Sequence, residues 1–249
     1  MADEHNPFEA PSANPDMPDD PVEGRLQPVE MEVGAILGRC WELFTANIGL
    51  VVGALLIPMV PALAFAGMSV AIQLAMEGAS DESMVLVFSL ADLAVNLSSA
   101  LVSLFFQLGV IRIFLNIARG NHAELGMLIG EGRNYLSGIG TSFLTVIAIL
   151  VGFVLLIIPA IIVGLGLQFA LYAVVDRNMS PITAMQESWR LTNGHKGTIF
   201  LINLVVALIA LGLTCVTLGI GYLLAVPVLA LTQAVMYHSL EHLQKDQAY

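Results

Sequence analysis

Asn134–Val175 reads NYLSGIGTSFLTVIAILVGFVLLIIPAIIVGLGLQFALYAVV, forty-two consecutive uncharged residues between Arg133 and Asp176. A bilayer core of about 30 Å is crossed by about 20 helical residues, so this run is long enough to pass twice. Pro159 marks the turn, because proline cannot continue a helix without losing a backbone hydrogen bond. Each arm is short, about 18 residues, which makes a tight membrane hairpin.

The same pattern extends in both directions. No charge occurs between Glu42 and Glu77, or between Lys196 and Glu241, a run of 44 residues. Overall 57% of the chain is hydrophobic and 12% charged, with a mean hydropathy of +0.83; soluble domains carry about 25% charged residues. The expected fold is all-α: a polytopic membrane bundle of six transmembrane helices in three hairpins. The spans fall at roughly 49–72 and 95–117, two within 138–175 with Pro159 at the turn, then 198–216 and 223–240. Met84–Ala118 is longer than a bilayer is thick, so the start of the second span is expected to project outside. Pro58 and Pro61 lie inside the first span, where neighbouring helices can satisfy the freed carbonyls.

Each hairpin is preceded by an amphipathic stretch. In Val33–Ile48 the apolar residues Val33, Ile36, Leu37, Cys40, Trp41, Phe44 and Ile48 recur at helical spacing. Residues 121–136 carry Leu125, Leu128, Ile129 and Tyr135, and Ile182–Leu191 reads as a third helix. These are expected to lie at the cytoplasmic interface, where tryptophan is favoured. The units also echo one another. Trp41-Glu-Leu43 is followed by Gly49 as Trp189-Arg-Leu191 is by Gly197, and Leu55–Pro58 resembles Leu155–Pro159. Three parallel units are the expectation.

Orientation follows from the basic residues: Arg25, Arg39, Arg112, Arg119, Arg133, Arg177, Arg190, Lys196 and Lys245. With six spans all nine fall on one side, which the positive-inside rule assigns to the cytoplasm. Both termini are then cytoplasmic, in a cell membrane of the bacterial inner-membrane kind.

The net charge of −11 is largely a tail property, since nine of the twenty acids lie in the first 32 residues. Residues 1–30 read as a disordered, acidic, proline-rich tail, residues 31–243 as the membrane domain, and residues 244–249 as a short cytoplasmic end. No basic face for nucleic acid is present. The start of the chain lacks the charged and apolar regions of a cleavable signal, so the first span is expected to act as an uncleaved one. Asn6-Pro7-Phe8 in the tail is a candidate protein-partner motif.

The polar residues inside the spans are few. Asp92, Asn96, Ser99, Ser103 and Gln107 recur at spacings of 4, 3, 4 and 4, one stripe of the second span. Such residues either hydrogen-bond between membrane helices or line a polar path. The cytoplasmic Arg119, Arg133, Arg177, Arg190 and Lys196 are candidate contacts for anionic lipid headgroups. His238 and His242 are four apart but have no further ligand nearby in sequence, so no metal is expected. No nucleophile triad, phosphate loop or Cys-x-x-Cys motif occurs, so no cofactor and no enzymatic activity is expected.

From Pro159 onward the chain carries Phe169-Ala170, Val174-Val-Asp176-Arg177, Ser180-Pro181, Ala184, Ser188, Leu191-Thr192 and Gly194, then two spans with Pro227 and Tyr237. This resembles the membrane-domain family of glycerophosphoryl diester phosphodiesterases and related bacterial multi-pass proteins. The interfacial helix before the first span and Arg119-Gly120 are similar too. In that family the membrane domain can accompany a soluble phosphodiesterase barrel. These 249 residues hold no such barrel, so the resemblance implies a membrane fold and no esterase activity. Two readings of function follow: a non-enzymatic membrane organiser or accessory protein, or a transporter, channel or lipid-handling protein using the second-span stripe.

Overall fold

The computed structural model describes residues 27–79, 81–219 and 221–246. The tail up to residue 26, the partner motif within it, Ser80, Ile220 and the last three residues lie outside the described residues. Among the described residues nine α-helices follow in order: α1 (Val33–Ala46), α2 (Ile48–Glu77), α3 (Glu82–Ala118), α4 (Tyr135–Leu155), α5 (Ile157–Leu167), α6 (Ala170–Arg177), α7 (Pro181–Thr192), α8 (Lys196–Val216) and α9 (Tyr222–Asp246). A 3₁₀ segment, Leu125–Asn134, joins α3 to α4. The described residues contain no strand. Among the described residues, five stretches are long and apolar enough to cross a membrane: Ile48–Glu77, Glu82–Ala118, Leu125–Leu155, Ile157–Arg177 and Lys196–Val216. The chain is a helical membrane protein.

The centre of the bundle is α9. Leu231, Ala234, Val235, Met236, Tyr237 and Leu240 are all buried, on every side of the helix. A helix that is apolar all round belongs in the interior. Around it pack α1, α3 and α8, with α7 touching one end. On α1 the inward residues are Ile36, Cys40, Leu43 and Phe44, at the spacing of one helical face. Trp41 sits at the edge of that face and is 62% exposed.

Several boundaries differ from the sequence expectation. The turn between the third and fourth expected spans is at Leu156, whose fully extended backbone (φ 166, ψ 164) separates α4 from α5. Pro159 lies three residues later, in the first turn of α5, where a missing N–H is tolerated. The two arms cross closely because Gly152 lacks a side chain: a Cβ there would stand 2.9 Å from the Ala160 backbone. Pro58 and Pro61, by contrast, lie inside an unbroken α2. The second amphipathic stretch is a 3₁₀ segment with a kink at Glu131. α1 stops at Ala46, and the single residue Asn47 separates it from α2, which begins at Ile48.

The helix α3 runs unbroken for 37 residues, about 55 Å at the α-helical rise. Asp81 caps it by accepting a hydrogen bond from the Ser83 backbone N–H. Its buried residues begin only at Leu108, and those of α2 are Val51 and Ala54. The distal parts of this hairpin therefore extend beyond the packed bundle.

Candidate functional site

The bundle's charged side chains gather where α3, α6, α7 and α9 meet. Arg119 follows the last residue of α3, and its backbone N–H donates to Leu115 (3.1 Å). Its guanidinium grips both Asp176 oxygens of α6, with Nη2 donating to Oδ2 at 2.8 Å, and Nη2 also donates to Glu241 of α9 at 2.8 Å. The fork matches a carboxylate as two parallel bonds, the strong form of this pair. The Tyr237 hydroxyl donates to Asp176 Oδ2 at 3.2 Å. Arg177 donates to Glu241 at 3.0 Å and to Glu187 of α7 at 2.7 Å. Arg190 closes the chain with two bonds to Glu187, at 2.8 and 2.7 Å. Three guanidiniums thus face three carboxylates whose side chains are only 8–11% exposed. Such burial is sustainable only because every charge has a partner.

The electrostatics follow from the pairing. Burial pulls the Arg119 guanidinium down, but the bond to Asp176 and the charges of Asp176 and Glu241 outweigh it and raise its pKa. The Arg190 hydrogen bond holds the Glu187 carboxyl below the usual carboxylate range, against a smaller opposing effect of burial. A second clasp lies beside the first. Arg112 donates to Glu131 of the 3₁₀ segment at 2.6 Å and to the Val175 carbonyl, and Asn134 holds the other Glu131 oxygen at 2.7 Å.

Neutral contacts fasten the same region. The Ser188 hydroxyl donates to the Gly166 carbonyl (2.8 Å) and accepts from the Phe169 N–H (3.2 Å), bridging the break between α5 and α6. Trp189 packs where a Cβ on Gly166 would meet its ring at 2.4 Å. An amide relay crosses the bundle: Gln233 of α9 donates to Asn203 of α8 (2.9 Å), which donates to Gln168 (3.0 Å).

Of the five arginine and lysine residues singled out as headgroup contacts, Arg119, Arg177 and Arg190 are in the ion-pair network. Lys196 stands over the Trp189 ring at 3.4 Å. Arg133 is exposed and makes no ion pair among the described residues. The second-span stripe is placed differently. Asp92 accepts from Ser69 of α2, and Asn96 donates to the Asp92 carbonyl at 2.8 Å. Ser99 is half-buried, while Asn96, Ser103 and Gln107 are exposed. Ser103 and Gln107 line a groove of about 380 Å³ whose walls include Pro58 and Met59 of α2 and Ala230 of α9. A larger cavity of about 650 Å³, lined almost wholly by apolar groups, opens between Trp41 and Phe44 of α1, Val206 and Leu213 of α8, and Val228 of α9.

Sequence reasoning missed Glu131, Glu187 and Glu241 as partners, and the Gln168–Asn203–Gln233 relay. The amides had a visible signal: each stands in an otherwise apolar stretch. Of the acids only Glu187 had one, its i,i+3 spacing to Arg190 on an expected helix; Glu131 and Glu241 pair with arginines 19, 64 and 122 residues away.

Fold and site together define a helical membrane protein whose buried charges are neutralised within the chain. The chain belongs to the family described as Domain of unknown function (DUF7847), which matches residues 106–244. That segment begins inside α3 and includes every residue of both clasps. No curated protein and no solved structure matches the chain.

Proposed function

We propose that this protein is a non-enzymatic membrane organiser or accessory protein. It has six transmembrane helices, α9 supplying the sixth, and both termini in the cytoplasm of a bacterial inner membrane. The observation that carries this reading is the Arg119–Asp176–Glu241–Arg177–Glu187–Arg190 network. The side chains best able to do chemistry are held by one another, which suits a rigid scaffold rather than a reacting site. The network supports the orientation as well. It collects the ends of α3, α6 and α9 at one face, together with α7, and that face holds most of the basic residues.

On this reading the network fixes the helices that display α7 and the exposed Arg133 to the headgroup layer. The acidic tail is the natural reach toward a protein partner. The likeness to phosphodiesterase membrane domains is consistent with a membrane module that acts beside soluble machinery. One observation favours the second reading, a polar path: Ser103 and Gln107 line an open groove.

Reconstitution into liposomes separates the two. The organiser reading expects ion permeability, small-solute permeability and lipid scrambling at the level of empty vesicles. A flux that Ser103→Leu or Gln107→Leu abolishes would replace it with the path.

A further inference from the structure

The apolar cavity beside α1 is cut into the wall of a helix able to cross the membrane. Val206, Ile209, Ala210 and Leu213 line it from one face of α8. α8 begins at Lys196, so these four residues lie about 15–25 Å along it, in a stretch that a bilayer core of about 30 Å covers. Trp41 and Ile48 of α1 and Ile209 of α8 are 62%, 51% and 55% exposed, so the opening faces sideways, toward lipid. Apart from the exposed Trp41 indole, Thr45 has the one polar side chain among the described lining residues. Its hydroxyl already donates to the Trp41 and Glu42 carbonyls, both at 3.0 Å. Water in a cavity needs two to four polar partners, which this lining does not offer. An empty space would forfeit the dispersion contacts of every wall.

We infer that this cavity holds one acyl chain of a bilayer phospholipid. The volume of about 650 Å³ is in the range of small-molecule sites. Val206 to Leu213 spans about 10 Å of α8, which leaves a mean cross-section of about 60 Å², below the ~80 Å² of a helix about 10 Å wide. A protein helix is therefore too thick for the space, and a single unbranched chain is not. The bilayer is the source, because the opening meets it directly and no other apolar molecule is as abundant there. No lining residue is charged, so the site selects the chain and not the headgroup. The inference stands apart from the organiser reading: a held lipid is compatible with a scaffold or with a path.

Native mass spectrometry of the detergent-purified full chain tests it. The wild type is expected to retain a phospholipid, and Ala210→Phe or Val228→Phe, which fill the cavity, to lose it. Leu204→Phe, at an exposed position on the opposite side of α8 from the cavity, should retain it. Unfolding midpoints at or above the wild-type value show that the filled variants are folded. If they unfold, a second measurement decides alone. Trp189→Phe leaves the cavity intact and Trp41 as the one tryptophan. Phosphatidylcholine or phosphatidylglycerol brominated in the chain should quench Trp41 in detergent to a plateau, with the same midpoint for both headgroups. A wild type that carries no lipid or a protein instead, equal retention by Ala210→Phe and Leu204→Phe when both are folded, or quenching without a plateau would overturn the inference. A plateau with only one headgroup would overturn it as well.

Discussion

Arg119 joins three distant parts of the chain, since it touches Asp176, 57 residues away, and Glu241, 122 away. Replacing it with alanine removes the paired grip on buried Asp176 and one of the partners of Glu241, and should cost about 3–5 kcal/mol, read as a lower unfolding midpoint in detergent. Arg119→Lys should recover only part of this, because an ammonium cannot make the paired grip on Asp176. Glu187 gives the network a pH dependence. Its carboxyl is held below the usual range, so its contribution to stability is complete above about pH 4.3, where an unfolded glutamate titrates. It is lost as the pH falls through the folded value. The melting temperature should therefore drop on acidification below about pH 4.3, and Glu187→Gln should show a shallower drop. At this scale the sequence was informative about which residues are apolar and nearly silent about ionic partners. The Asp176-Arg177 pair stood out only as part of a family-like pattern, and nothing near it in sequence points to Arg119 or Glu241.

Among the elements, the apolar runs gave the helices their places, and local backbone chemistry decided where they break. Pro159 looked like the turn but occupies the tolerant first turn of α5, while the break falls at Leu156. Pro159→Ala should accordingly change stability by less than about 0.5 kcal/mol. Gly109→Ala is the opposite case. A Cβ there would lie 2.3 Å from the Leu128 carbonyl oxygen, so the 3₁₀ segment must move away from α3. It should cost about 1–3 kcal/mol, measurable by the same unfolding midpoint. The second-span stripe was legible as a spacing. Its exposure was not, because periodicity shows that residues share a face and leaves open what that face meets.

For the molecule as a whole, composition alone identified a helical membrane protein; the charge-free runs placed four of the five stretches able to cross among the described residues, and Glu82–Ala118, which holds Asp92 and Arg112, was legible from its apolar length. The central position of α9 was hidden, since a buried helix and a lipid-facing one have the same apolar composition. Removing residues 1–28 should leave membrane insertion intact, as judged by alkaline extraction, because the packed bundle begins at α1. The central claim is that the hairpins alternate across the membrane with the charge network on the cytoplasmic face. Single cysteines at Asn121, Asn178, Leu156 and Leu218, in the chain lacking Cys40 and Cys215, test it by labelling with a membrane-impermeant maleimide. The account predicts labelling of 121 and 178 only from the cytoplasmic side and of 156 and 218 only from the opposite side. Labelling of 178 and 218 from the same side would contradict it.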